Sequence, residues 1–272
     1  MKRIVIPTDL SLYSVHLIRY ALNLLQGQTC HITLLQLTPL PDSITDLLTL
    51  PRPDRAPLER NPEFGKAIAR LQRHYALEIE AIQVAHLYYD GAQQLKQYLQ
   101  ELSIDLVLAP VPLTRPAKGA AHLHRLLTNA PCPVLYIPEY GEASKFRRIA
   151  VVLDVEAKTP ELPEQALMEL LSRNEARLTF LLVFKPGRHT DQLQRTLGLL
   201  YSAPQLAGIT YSVHLVQQRD VTEGVLAFLG EFDIDLVVAS EKKRVLGSLR
   251  AGSGSAFRQA AITAKVPCLA VA

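Results

Sequence analysis

The sequence predicts an α/β protein made of two tandem, doubly wound domains, each with about five parallel strands. Three observations lead there. Strand-like runs recur twice along the 272 residues, in the same order in both halves. The runs are apolar on consecutive residues, the pattern of parallel strands that are covered on both faces. Stretches with helical spacing lie between them.

In chain order, KRIVIPTD (Lys2 to Asp9) reads against RRIAVVLD (Arg147 to Asp154), each a basic pair, an apolar run of strand length and a terminal Asp. HITLLQL from His31 matches RLTFLLV from Arg177. SIDLVLAP from Ser103 matches DIDLVVAS from Asp233, and APCPVLYIP from Ala130 corresponds to KVPCLAVA at the end of the chain. After Asp9, Val15, Ile18, Leu22 and Leu25 keep three- and four-residue spacing, with Ser11 placed to cap the helix. In the second half Leu167, Leu170 and Leu171 follow Pro163, which suits a first helical turn. The Pro-rich, charged stretch TLPRPDRAPLERNPEF from Thr49 reads as a surface excursion. PEYGEASK, Pro138 to Lys145, reads as the linker between a domain spanning 1–139 and one spanning 146–272. So short a linker leaves the domains adjacent, and the expectation is an intimate pseudo-twofold pair.

Composition narrows the class. Hydrophobic residues make up 48% and charged residues 20%, ordinary values for a globular protein. A net charge of +3 with no basic stripe interleaved with aromatics argues against nucleic acid as a partner. The three cysteines, Cys30, Cys132 and Cys268, are widely spaced and odd in number, which fits neither a disulfide framework nor a zinc site. The apolar run after Met1 is too short for a secretory leader, and no run reaches the ~18 residues of a membrane span. A cytoplasmic location without membrane partners is expected.

With these residues in view, the chain resembles the universal stress protein family in tandem form, over nearly its whole length. IVIPTDLSLYS looks like the family's opening strand and Asp-containing turn, DLVLAP and DLVVAS like its fourth strand, and APCPVLYIP like its closing strand. The resemblance implies Rossmann-like domains, packing through the last strands, a role in stress response and, in some members, adenine nucleotide binding. Members that bind ATP carry Gly, two residues, Gly, nine residues, then Gly with Ser or Thr. Counting back from Pro267 sets the last pair at Gly254-Ser255, but the first two positions hold Glu241 and Arg244. Glycine matters there because without Cβ the backbone reaches positive φ and turns its N–H groups to phosphate. Glu241 restricts the backbone and adds a negative charge.

Two readings of the stretch Gly252 to Ser255 stand side by side. It leads into a helix beginning near Ala256, whose free N–H groups favour an anion, with Lys242, Lys243, Arg244 and Arg250 as side-chain charge. Alternatively Ser255 only caps that helix and the basic residues are solvated. In the first half the same count reaches Ala120-Ala121, with prolines where amide donors are needed, so no phosphate cradle is expected. Asp9 and Asp154 hold the family's nucleotide-side position; each contacts a ribose or base, or caps the following helix, and without the glycines the cap is the adopted reading.

No constellation for catalysis emerges. His122 and His124 are one residue apart in an expected helix, so they point about 200° apart and share no metal. Asp233 and Asp235 suggest paired carboxylates, but their match in Ser103-Ile104-Asp105 makes Asp105 and Asp235 structural markers ahead of the fourth strand. The expectation is a non-enzymatic stress-response protein that binds protein partners or a small anion, with no certain cofactor and further dimerisation open. The alternative is an adenine-nucleotide binder with weak or no hydrolysis, using Asp154, Gly252, Gly254, Ser255 and Arg244 of the second half.

Overall fold

The computed structural model of the protein describes residues 1–25, 27–41, 43, 45, 48, 61–111, 123, 126–127, 130–138, 146–155, 176–185, 190–240 and 253–271. The chain divides into two compact units, Met1–Leu135 and Tyr136–Ala272. The division falls just ahead of the expected linker, Pro138 to Lys145.

In the first unit the order is β1 (Lys2–Pro7), α1 (Leu12–Leu25), β2 (Cys30–Pro39), α2 (Pro62–His74), β3 (Ile79–Tyr89), α3 (Ala92–Glu101), β4 (Leu106–Val111) and β5 (Val134–Pro138), which crosses the division. The sheet order is β3-β2-β1-β4-β5. β1 pairs in parallel with both β2 and β4, and β2 in parallel with β3. The second unit contains β6 (Arg148–Asp154), β7 (Arg177–Phe184), α4 (Thr190–Ser202), β8 (Tyr211–Gln217), α5 (Val221–Glu231), β9 (Leu236–Ser240), α6 (Ser253–Thr263) and β10 (Cys268–Val271). Its order, β8-β7-β6-β9-β10, is the first unit's order repeated, again with parallel pairs.

The consecutive apolar runs are buried as their pattern requires. Ile4, Val5, Ile6, Val107 and Leu108 are inaccessible to solvent, as are Ile149, Ala150, Val237 and Val238 in the matching strands. Helices on both faces remove that area from water, at about 25 cal/mol per Å² of apolar surface. On α1, Ile18, Leu22 and Leu25 are buried and Val15 is half-buried, so the expected stripe is the packed face.

One expectation needs correction. The end of the Pro-rich excursion is helix, not loop. Asn61 caps α2, its Oδ1 accepting from the Phe64 amide at 3.2 Å, Pro62 occupies the first turn, and Phe64 is fully buried. Proline there loses no helical hydrogen bond, because first-turn N–H groups have no intrahelical acceptor. The rest of that excursion, residues 49–60, and the helix expected after Pro163 lie outside the described residues.

The heads of the central strands are built alike in both units. The Arg3 amide donates to Asp105 Oδ2 at 2.8 Å, and the Asp105 amide donates to the Arg3 carbonyl at 2.9 Å. In the second unit the Arg148 amide donates to Asp235 Oδ2 at 2.8 Å, and the Asp235 amide to the Arg148 carbonyl at 2.8 Å. Two residues on, Val107 and Val237 donate to the carbonyls of Pro133 and Pro267, at 3.0 and 2.9 Å. Both carboxylates therefore mark the approach to the fourth strand, the structural part read from the repeat.

The units differ where the helix after the third strand meets the sheet. Gly224 in α5 lies so close to β7 that an added Cβ would stand 2.7 Å from Val183 Cγ1. Gly224→Ala therefore gains helix propensity worth about 1 kcal/mol but meets an overlap costing about 1–3 kcal/mol. The expected result is a net loss of stability in urea unfolding, and in a Val183→Ala background, which removes the overlapping methyl, Gly224→Ala should cost less than it does in the wild type.

Candidate functional site

In each unit the chain builds the sheet outward from the central strand in one direction and then returns to build the other side. The switch falls between β1 and β4 in the first unit and between β6 and β9 in the second. Open α/β sheets bind ligands at the carboxyl ends of the strands beside such a switch. Asp9 and Asp154 stand at those two places.

Around Asp9 the loop from β1 to α1 is tied internally. The Thr8 amide donates to the Leu35 carbonyl at 2.9 Å, and Thr8 Oγ1 accepts from the Leu10 amide at 2.8 Å while also hydrogen-bonding the Ser14 hydroxyl. Asp9 Oδ1 accepts from the Ser11 amide at 2.9 Å. Leu10 has φ of 61°, the left-handed region that a leucine rarely adopts, and buries its side chain. Asn61 Nδ2 donates to the Leu10 carbonyl at 3.2 Å, so the residue that caps α2 also holds this turn. An exposed Asp9 thus works as a local turn former ahead of α1; the amide it accepts is that of Ser11, which precedes the helix, so this bond belongs to the turn and not to a cap of α1 as expected from sequence.

The second unit is built differently. Asp154 is the last residue of β6, in register with Val183, and so lies inside a strand where Asp9 lies beyond one. The equivalence drawn between the two Asp residues holds in sequence but not in backbone. β6 is longer at this end because its ladder with β7 continues through Asp154, whereas the β1–β2 ladder stops at Pro7. Gly254 and Ser255 were expected in a turn before a helix starting near Ala256. They fall instead in the first turn of α6, which begins at Ser253. Helix starts tolerate Gly and Ser, and the amides of this turn have no acceptor within the helix. α6 packs through buried Phe257, Ala260 and Ala261, at helical spacing, against α5, β9 and β10. Gly252 and Arg244 lie outside the described residues, as do Glu241, Lys242, Lys243, Arg250, Ala120, Ala121, His122 and His124.

Sequence reasoning missed Leu10 and Asn61. The Asn61-Pro62 pair is a helix-start signature, hidden in sequence by the Pro-rich stretch that surrounds it. Nothing in the sequence marks Leu10.

The three cysteines are buried, and none is in a disulfide. Burial, with Glu78 adding to it, pushes the Cys30 thiol up to about 11. Burial, with Asp105 adding to it, pushes Cys132 up to about 12. Asp233 and Asp235 do not form an acid–base pair: both are ion-paired to Arg148, Asp235 Oδ1 at 2.9 Å from its Nη2. Among the described residues no group of three or more metal-ligating side chains occurs, and no helix is long and apolar enough to cross a membrane.

A twofold-repeated β3-β2-β1-β4-β5 order, with candidate residues at the switch points, defines a Rossmann-like α/β protein in tandem form. The model of the universal stress protein family matches residues 1–138, just over half of the chain, and the chain belongs to that family. Among solved structures it is similar to a universal stress protein from Archaeoglobus fulgidus DSM 4304, with TM-score 0.65 and 17% identity over 99% of this chain and 97% of that one. It is also similar to a putative universal stress protein from Pseudomonas aeruginosa UCBPP-PA14, with TM-score 0.60 and 14% identity over 100% and 93%. The cytoplasmic domain of a prokaryotic cation chloride cotransporter has TM-score 0.55 and 13% identity over 99% and 94%. At these identities the likeness is one of fold. No curated protein matches the chain.

The thiol environments give a direct expectation. A thiolate is the reactive form, and both burial and the raised values suppress it at neutral pH. In the folded protein Cys30, Cys132 and Cys268 should resist a thiol reagent such as iodoacetamide, and all three should react once the chain is denatured. Rapid labelling of the native protein would contradict this packing.

Proposed function

We propose that the protein is a non-catalytic, stress-response or regulatory binding protein that lacks the usual ATP site of its family. The observation that carries this reading is the pair Glu241 and Arg244, standing where the family pattern places the first two glycines. Glycine at such positions lets backbone amides approach and surround a phosphate chain, and neither residue of this sequence there is glycine. Asp9 supports the reading, since one of its carboxylate oxygens serves the Ser11 amide in its own turn. The likeness to the cytoplasmic domain of a cation chloride cotransporter adds that this fold also serves as part of a larger protein. Function in such a protein is a matter of what the surface binds.

A second reading rests on α6. Its first turn, with Gly254 and Ser255, follows β9 next to the switch point where Asp154 ends β6. Free amides and the positive end of the helix dipole there suit an anion, which makes an adenine nucleotide in the second unit the alternative ligand.

Calorimetry separates the two. ATP, ADP, AMP and cyclic AMP are titrated into the full chain with and without magnesium, and the titrations are repeated on Ser255→Ala. The first reading predicts no heat of binding at millimolar ligand. Binding that disappears in Ser255→Ala would overturn it in favour of the second.

A further inference from the structure

We infer that the outer edge of β8 is an interaction surface that pairs with β8 of a second copy of this chain, antiparallel, about a twofold axis. Each unit ends in an edge strand, β3 in the first and β8 in the second, with no further strand beside either among the described residues. A strand edge is a row of backbone donors and acceptors ready to pair with another chain, and proteins that stay apart blunt it with charges, prolines or bulges. The two edges of this protein are treated oppositely.

β3 is blunted. Its ladder with β2 slips between Cys30 and His31, which pair with Ile79 and Ala81, so the residue bulged out of register is Glu80. Glu80 is exposed and charged. A bulge breaks the regular row, and its charge opposes the burial that pairing would require.

β8 carries none of these devices. Its sequence, YSVHLVQ, has no acidic or basic residue other than the imidazole of His214, no proline and no glycine. Its ladder with β7 runs without a slip from Tyr211 to Gln217. Apolar groups flank it on both faces. On the face that carries Tyr211 and Leu215, Leu215 is 46% exposed, and the Tyr211 hydroxyl donates to the carbonyl of Leu200 at the end of α4, next to Tyr201, which is 76% exposed. On the other side His214 packs against Phe228 and Phe232, at 5.1 and 4.7 Å between ring centres, and Phe232 is 40% exposed.

The strand's own composition selects a second copy as the occupant. Antiparallel self-pairing over all seven residues centres on His214. It sets Leu215 of one copy opposite Val213 of the other, and Ser212 opposite Val216, with no Asp, Glu, Lys or Arg facing a like charge. The twofold arrangement closes on itself, whereas β8 against β3 would be head-to-tail, open-ended, and would meet Glu80. Seven paired residues alone bury less than the roughly 1,200 Å² of a stable interface, so Tyr201, Leu215 and Phe232 supply the remaining contact and the dimer is concentration-dependent.

The test is sedimentation of the full chain from micromolar to millimolar concentration, beside Leu215→Lys and Leu77→Lys. Leu77, 88% exposed just before β3, is the control. The wild type should pass from monomer to dimer. Leu215→Lys, which sets lysines diagonally across the twofold, should weaken association by about tenfold or more, and Leu77→Lys should leave it unchanged. Hydrogen exchange on the wild type provides a check independent of any variant, with β8 amides slowing as concentration rises. A monomer at every concentration, or a dimer equally stable in Leu215→Lys with β8 exchange unchanged, would overturn the proposal; the former would give the edge to a different partner.

Discussion

A carboxylate placed one residue before the fourth strand holds each unit together at its amino end. Asp105 and Asp235 each accept a main-chain amide from the head of the central strand and return their own amide to that strand's carbonyl. Two residues after each Asp, an amide of the fourth strand donates to the carbonyl of the proline that precedes the closing strand. Three strands are thereby fixed in register within three residues. Because a parallel ladder slips easily along an uninterrupted apolar run, a fixed starting point decides which residues face which helix layer. The ion pairs around these carboxylates matter less than the amide bonds. Lys2 and Asp105 are 46% and 34% exposed, and pairs so open to water contribute little. At Asp235 burial alone would raise the carboxyl, but Arg148 and the amides of Arg147 and Arg148 outweigh it and hold it below the usual carboxylate range.

From that common base the two units diverge towards their carboxyl ends, where an α/β protein keeps its binding chemistry. The first unit closes β1 with a hydrogen-bonded turn through Thr8, Asp9 and the left-handed Leu10. The second carries β6 on to Asp154 as regular strand. α5 approaches its sheet closely through Gly224. The matching position of α3 holds Gln94, whose side chain accepts the Gly91 amide at 3.1 Å. Repetition of the framework with different loop chemistry is what a tandem protein needs to give its halves different partners.

Much of this was legible in the sequence, for physical reasons. Strands buried on both faces leave an unbroken apolar signature, so Ile4 to Ile6 and Leu106 to Leu108 could be read directly. The repeat of Asp105 at Asp235 marks the entry to the fourth strand in the sequence itself, whereas their bonds to the central strand are visible only in the structure. Less legible were features set by context. Asn61 and Pro62 start a helix, yet they sit in a stretch whose prolines read as loop. Gly254 and Ser255 suit a turn and a helical first turn equally, and packing of Phe257, Ala260 and Ala261 decides for the helix. Leu10 has no sequence signal, because its conformation is imposed by Thr8 and Asn61 around it.

The central claim, that the Asp235 clasp stabilises the second unit through its charged form, is tested most directly by urea unfolding of the wild type and Asp235→Asn across pH. The folded-state value of Asp235 is lowered, so its contribution is fully present above the unfolded carboxyl value of ~3.9 and is lost as pH falls through the folded value. Near neutral pH the variant should be less stable by about 1.5–3 kcal/mol, the worth of hydrogen bonds to a charged acceptor. Below pH ~4 the two curves should converge. A variant as stable as the wild type at neutral pH, or a constant gap that ignores acid, would contradict the account.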